Sequence, residues 1–518
     1  MKRASVLLAA LLLLMLAAHA RGSAGPSLAG SDRGGEETSV AAGDADCDGT
    51  IGARDTLAVL RFQTGAGALP CPAAADLNCD GLVDFRDALE PLRYRAGLPP
   101  SHAVPGCRPA GATGDIEFVA HVSPGPGAYG DVWSLGDYAF IGRWRNPCDG
   151  RGPAIIDISD PAHPRFLRDL PVQPNTTAED VVALDVATPF FSGALLATGL
   201  QDCQRPGLAP GQAGLQLFDV TDPQDPVTLG FFSVAPNEGV HELSVFARGG
   251  QAFALLAVPE SEVFDPQHQG DLRIIDITDP RHPVQVAAWG IGAQGGLAFG
   301  SPLFRNFGLG PPYDCTPPPG TPAYCRGAAP RVFLHSVSTD GEFAYLSWWD
   351  AGFITLDISN PAHPVFVNHG ETPPGDDGDT HSALRVPGRP LVLTTDEDFS
   401  PQNAQAPGDT WGRLRIWDIS DPANPQQAGE FATPRSLTNR RDGVFSVHNP
   451  EVAPDGSVYL SWYSDGVRVL DLSDPASPRE TASYVPPAAD VWGVRAHNGL
   501  ILASDIQTGL WILRPGAR

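Results

Sequence analysis

The chain has 518 residues, 60 of them acidic against 34 basic, and a formal net charge of −26. That balance excludes the clustered Lys and Arg on which a nucleic-acid interface depends. The length calls for more than one structural unit, and 57 Gly and 52 Pro against 2 Met point to many turns and little long helix.

The first element in chain order is an export signal. Lys2 and Arg3 supply the basic start, Ser5 to Leu16 the apolar run, and Ala18-His19-Ala20 a small-residue cleavage site. The run is shorter than a spanning helix needs, and no later stretch is long enough to cross a bilayer. Residues 1–20 are therefore expected as a signal peptide and 21–43 as a flexible Gly/Ser/Ala-rich linker, giving a secreted mature chain with no membrane span. Its eight cysteines fit four disulfides in an oxidising compartment.

Two acidic loops come next, DADCDGTIGARD at 44–55 and DLNCDGLVDFRD at 76–87, each running into a helix-like segment. A hard cation such as calcium wants six to eight oxygens, which a twelve-residue loop delivers at regular spacing around a glycine turn. In the first loop Asp44, Asp46, Asp48, the Thr50 carbonyl and Asp55 are the expected ligands. In the second they are Asp76, Asn78, Asp80, the Leu82 carbonyl and Asp87, with Asp84 acting through water. A plain acidic loop would not explain the repeated Gly49 and Gly81.

Residues 44–98 resemble a type I dockerin module, in which a duplicated calcium loop precedes each helix and Asp closes the loop. The resemblance implies docking onto a cohesin-like partner, often in assemblies that degrade polysaccharide. The departure is a cysteine at position 4 of each loop, Cys47 and Cys79, with Cys71 and Cys107 downstream at similar separations. One disulfide within each repeat would stabilise a module too small for a large core. The module could equally be a calcium-dependent spacer. Residues 99–114 are expected as a second linker.

From residue 115 one phrase returns six times: IIDISDPAHP, LFDVTDPQDP, IIDITDPRHP, TLDISNPAHP, IWDISDPANP and VLDLSDPASP. Each is an apolar strand, an Asp able to cap a turn, and a reversal bracketed by prolines. Further strands flank each phrase. Four short strands at a long period define a β-propeller blade, and a β-sandwich would not repeat in this way. Residues 500–515 give a degenerate seventh blade without its outer strand, which the segment DIEFVAHV at 115–122 would supply. The expected fold is mainly β, a seven-bladed propeller over 115–518 whose N-terminal strand closes the last blade, beside the small helical calcium module. These blades resemble the LVIVD-repeat family of exported bacterial propellers, which implies the fold and little about activity.

The blades align at the first residue of the innermost strand: Asp131, Asp180, His241, His335, His381, His448 and Asp490. Innermost strands surround the channel, so these seven should ring its mouth. Loops of the same rim carry Glu260, Asp350, Glu397, Asp398 and Asp465, and the insertions at 144–153, 201–213, 261–270, 288–330 and 400–412. Insertions gathered on one face mark a working face. Cys148 with Cys203 and Cys315 with Cys325 would clip it. His241, His335, His381 and His448 are candidate ligands for copper or zinc, with rim acids orienting them; the competing reading is a hydrated polar channel. Trp348, Trp349, Trp462 and Tyr463 suit inter-blade packing better than sugar stacking. No nucleophile motif or phosphate loop stands out. Three functions follow: a secreted calcium-stabilised scaffold binding an extracellular glycan or protein, a metalloenzyme at the histidine ring, and a component of polysaccharide degradation.

Overall fold

The repeated phrase forms a turn because its first Asp caps it. In six blades that carboxylate accepts the backbone N–H two residues on: Asp157 from Ser159 at 3.0 Å, Asp219 from Thr221 at 2.9 Å, Asp276 from Thr278 at 2.8 Å, Asp357 from Ser359 at 2.8 Å, Asp418 from Ser420 at 2.7 Å and Asp471 from Ser473 at 2.8 Å. An aspartate that satisfies its own turn ends one strand and aims the next back along the sheet.

The computed structural model describes residues 116–516, except 145–147, 204–207, 235–238, 266, 268, 292–331, 372–377, 400, 402–409 and 440. In the N-terminal unit it describes 45, 46, 50, 52–63, 69–71, 75 and 88. The chain divides into two units, Met1–Ala96 with Pro100–Ala110, and Gly97–Pro99 with Gly111–Arg518.

In the first unit a helix spans Ala53–Gln63, and Ala45, Val59, Leu69, Ala75 and Ala88 form its apolar core. Asp55, fully buried, accepts the Gly52 N–H at 2.7 Å and the Asp46 N–H at 3.3 Å, so the loop folds back on its closing residue. Thr50 is exposed. Cys71 is disulfide-bonded. The signal peptide, both linkers, Asp44, Asp48, Asp76, Asn78, Asp80, Leu82, Asp84, Asp87, Cys47, Cys79, Cys107, Cys315 and Cys325 lie outside the described residues.

In the second unit the described residues form seven antiparallel sheets, one of them extended by a short fifth strand. Blade 1 contains Ala128–Leu135, Tyr138–Trp144, Arg151–Asp157 and Arg165–Pro171. The inner strands of blades 2 to 6 are Val181–Ala187, Leu243–Arg248, Leu334–Asp340, Thr380–Arg385 and Pro450–Val452. Blade 7 contains Val491–His497, Leu500–Asp505 and Gly509–Pro515, and its outer strand is Ile116–Val122 from the start of the domain. That strand runs antiparallel to Gly509–Pro515, from Ile116 opposite Pro515 to Val122 opposite Leu510. The expected closure is what the structure shows, and it covers a sheet edge that would otherwise be open.

Apolar side chains fill every junction between neighbouring blades. Trp348 packs with Trp289 between blades 3 and 4, and Val132 and Ile141 of blade 1 pack with Leu502 and Ile512 of blade 7. This last cluster seals the ring. Trp348 and Trp462 are fully buried in such clusters, so they serve packing. No described helix is long and apolar enough to cross a membrane.

Candidate metal centre

Inner strands of several blades break register at the ring residue or, in blade 7, two residues after it. The ladder shifts between Tyr129 and Val132, between Leu334 and Ser336, between Thr380 and Ser382, and between Val491 and Gly493. Asp131, His335, His381 and Trp492 fall in these gaps. A residue released from the ladder can be re-aimed, which is why bulges gather beside functional sites. Second-strand serines satisfy the disturbed backbone. Ser347 Oγ accepts the Ser336 N–H at 3.0 Å and donates to the His381 carbonyl of the next blade at 2.5 Å.

The ring closure brings the four histidines into one arc of rings in edge-on and tilted contact. Consecutive ring centroids lie 4.3 Å apart for His241–His335, 4.1 Å for His335–His381 and 3.9 Å for His381–His448. His448 is 0% and His381 1% exposed, His335 is buried, and His241 is partly open.

Hydrogen-bond partners assign the tautomers. His448 Nδ1–H donates to the Trp492 carbonyl at 2.7 Å. Ser382 Oγ donates to Asn449 Oδ1 at 2.6 Å, so its contact with His381 Nδ1 at 2.9 Å is one in which the imidazole donates. His241 Nδ1 faces two acceptors, Gln201 Oε1 at 3.1 Å and Glu179 Oε2 at 3.3 Å, and must carry a proton. Its Nε2 then accepts from His335 Nε2–H at 2.9 Å.

Two neutral rings, His381 and His448, are thereby left with an Nε2 lone pair facing inward. His448 Nε2 lies 3.7 Å from Glu397 Oε1 and has no hydrogen-bond partner. His381 Nε2 lies 3.7 Å from Glu242 Oε1 and 3.9 Å from Glu397 Oε2. Lone pairs facing carboxylate oxygens repel unless a proton or a cation sits between them.

Burial works against protons on the rings. It holds His448 down at about 3, against the pull of the Trp492 carbonyl. His335 and His381 are also held well below the usual imidazole range, first by burial and then by the neighbouring histidines. The acids move the other way. Burial, reinforced by Glu179 and Asp131, raises Glu242 well above the carboxylate range, and burial with Asp131 and Asp180 does the same to Glu179. Asp131 is raised by burial and Asp180, although Asn449 Nδ2 donates to it at 2.7 Å.

Two groups have the reach to hold an ion through nitrogen: His241, Glu242 and His335, and His335, His381 and Glu397, each with ligating atoms within 4.8 Å of one another. Of the ring aspartates predicted from sequence, Asp131 gathers with Glu179 and Glu242. Asp180 accepts the Leu243 N–H of the next blade at 2.7 Å, and Asp490 donates its N–H to Asp505 at 2.6 Å. Among the predicted rim acids Glu397 meets the histidines and accepts from the Tyr463 hydroxyl. Asp465 is instead bound to Arg435 at 2.6 Å, Asp350 accepts the Asp379 N–H at 3.3 Å, the Glu260 N–H goes to Asp271 at 3.2 Å, and the Asp398 carbonyl accepts from Gly412. Trp349 stacks on His335 at 4.9 Å and Tyr463 meets His448 at 5.3 Å, so these two aromatics line the centre.

Sequence reading missed Glu179, Glu242, Ser382, Asn449 and Trp492. Glu179 and Glu242 are neighbours of ring positions Asp180 and His241, and that adjacency was the available signal. Strict alternation along a strand would send them away from the channel, yet both precede the first ladder residues, Val181 and Leu243. Gly130 and Gly142 let the Glu179 segment come close, because a Cβ at either would strike the Glu179 carbonyl oxygen. Trp492 Nε1 then fixes Glu179 Oε1 at 2.6 Å. The expected Cys148–Cys203 disulfide is present and clips two neighbouring rim loops, with Cα atoms 6.2 Å apart.

Seven blades around a channel mouth define the chain as a β-propeller repeat protein. The LVIVD repeat model matches residues 126–168, 335–372, 408–433 and 458–485. No curated protein matches the chain. Similar solved structures include the computationally designed Ika8 protein, at 9% identity and TM-score 0.43, covering 76% of this chain and 98% of that one. Another is the WD40 beta propeller domain of Doa1, at 11% identity and TM-score 0.44, covering 78% of this chain and 98% of that one.

Proposed function

We propose that this protein is a secreted metalloprotein whose histidine arc holds a copper or zinc ion at the propeller mouth. The observation that carries the reading is the facing of His381 and His448 Nε2 lone pairs toward Glu397 and Glu242 in a buried pocket. A divalent cation would turn this repulsion into coordination, and imidazole with carboxylate suits copper and zinc. His381, His448 and Glu397 would hold it, with Ser382 and Trp492 fixing the two imidazole tautomers from behind. The ion would supply Lewis acidity, or electron transfer in the case of copper. His241 and Asp131 are partly open, and that side gives a small ligand its approach, beside Trp144 at 5.8 Å from His241.

The N-terminal loops are read as calcium sites that stabilise an attachment or spacer module. The return of the Asp46 backbone onto Asp55 supports this, since a calcium loop must fold back on its closing carboxylate. A cohesin-like partner and a place in polysaccharide degradation rest on the dockerin resemblance.

The test is metal content by mass spectrometry on the full chain after loading with copper or zinc, beside a His381→Ala/His448→Ala variant. Near-stoichiometric metal in the parent and its loss in a folded variant is the expected result. Equal metal in both proteins would leave the arc as a hydrated polar channel.

A further inference from the structure

Beside the histidine arc, Asp131, Glu179 and Glu242 form a third group whose ligating oxygens lie within 4.8 Å of one another. It contains no nitrogen donor. We infer that these three carboxylates form a second cation site, lined by oxygen and suited to a hard divalent ion such as manganese or calcium. The site does not depend on metal at the arc, although it touches the arc through Glu242.

A cluster of acids alone would not carry this. The second observation is Glu242 itself, only 7% exposed, whose Oε1 has no hydrogen-bond partner. His381 Nε2, 3.7 Å from it, presents a lone pair and cannot donate. Glu179, 1% exposed, is better satisfied: Oε1 accepts from Trp492, and Oε2 faces His241 Nδ1–H at 3.3 Å without full hydrogen-bond geometry. An unpaired buried carboxylate oxygen is costly, and the fold brings that of Glu242 in blade 3 beside Glu179 of blade 2 and Asp131 of blade 1. Each acid is also held from outside. Asn449 donates to Asp131, Trp492 to Glu179, and the ladder beginning at Leu243 anchors Glu242.

The donor type decides the ion. Carboxylate oxygens without nitrogen or sulfur suit calcium and manganese better than copper. Glu242 belongs both to this group and to the group with His241 and His335, so one carboxylate would lie between a hard ion and a softer one. A site of that kind would accept two different metals without exchanging them, because the ligand chemistry sorts them.

The experiment uses the full chain and manganese as the probe, since bound and free ion are separable by electron paramagnetic resonance. The parent is compared with Asp131→Asn/Glu179→Gln, which removes two charges and leaves Asn449 and Trp492 an acceptor each. The calcium loops contribute equally to both proteins, so the difference reports this site. The expected outcome is a loss of about one equivalent of manganese with copper or zinc uptake retained, while His381→Ala/His448→Ala shows the converse. Equal manganese binding in parent and variant would overturn the inference. Joint loss of manganese and copper would also overturn it, in favour of one shared site. If the double variant does not fold, the single variant Asp131→Asn at a half-buried position is read by the same criteria.

Discussion

Ser347 of blade 4 donates its hydroxyl proton to the carbonyl of His381 in blade 5, at 2.5 Å. The same oxygen accepts the Ser336 N–H at 3.0 Å, beside the bulge that releases His335. One side chain therefore couples the backbones that carry two histidines in ring contact. Blade 6 repeats the device: Ser461 accepts the Asn449 N–H at 2.8 Å and donates to the Trp492 carbonyl at 2.6 Å. The 4.1 Å spacing of the His335 and His381 rings is thus imposed through the backbone.

Replacing Ser347 by Ala should strand a buried N–H and weaken the hold on His381. The expected cost is about 1–3 kcal/mol, read as a lower midpoint in urea unfolding. Metal affinity at the arc should fall as well, by more than the same substitution at an exposed serine such as Ser359.

Stability should decline with pH above neutrality in the metal-free protein. Burial and the neighbouring Glu262 lift Asp271 to about 8, and burial lifts Asp180 and Asp490 to about 7. A folded-state value raised above the unfolded one means that the native state keeps the proton longer. Its contribution is full below the unfolded carboxylate value of about 4 and is lost as pH rises through the folded value. Buried histidines act in the opposite sense at lower pH: His448 is held at about 3 and His121 at about 4, so they destabilise the fold as pH falls below about 6.5. Between about pH 6.5 and 8.5 the acids dominate. Thermal midpoints should fall across that window, and Asp271→Asn should flatten the decline. A midpoint that rises there would contradict the assignment.

The Cys148–Cys203 bridge closes a segment with a sequence separation of 55. Chain entropy alone assigns such a loop about 4 kcal/mol as an upper figure. Reduction, or paired Cys148→Ala/Cys203→Ala substitution, should lower the melting temperature. It should also loosen the rim between blades 1 and 2, visible as faster amide exchange near Asn175, whose carbonyl accepts from Cys203.

The closing strand gives a truncation test. A chain starting after Val122 would uncover the Gly509–Pro515 edge and the face of buried Trp511 that Phe118 covers at 5.7 Å. It should aggregate or lose cooperative unfolding, whereas removal of residues before 115 should leave the propeller's melting transition in place.

The blades were legible because their signal is local. The Asp of each repeat phrase caps its own turn within two residues, and the hydrophobic strands around it recur at a steady period. Even the closing strand could be read, since residues 115–122 had no partner in blade 1 and blade 7 lacked one. The position of the four histidines followed from the same alignment, because equivalent residues of successive blades occupy equivalent places around the axis.

What the tertiary structure alone decided was the company these histidines keep. Trp492 and Glu179 are 313 residues apart in sequence, and Asn449 and Asp131 are 318 apart. Only closure of the ring, blade 7 against blade 1, brings such pairs within hydrogen-bonding distance. Register shifts free Asp131, His335 and His381 from the ladder, and close backbone packing at Gly130 and Gly142 admits Glu179, neither of which strand alternation encodes. The sequence by itself determined the seven blades and the ring of histidines, since both arise from short-range periodicity. The buried carboxylates, the imidazole tautomers and the inward lone pairs were settled by contacts that exist only once the circle is complete.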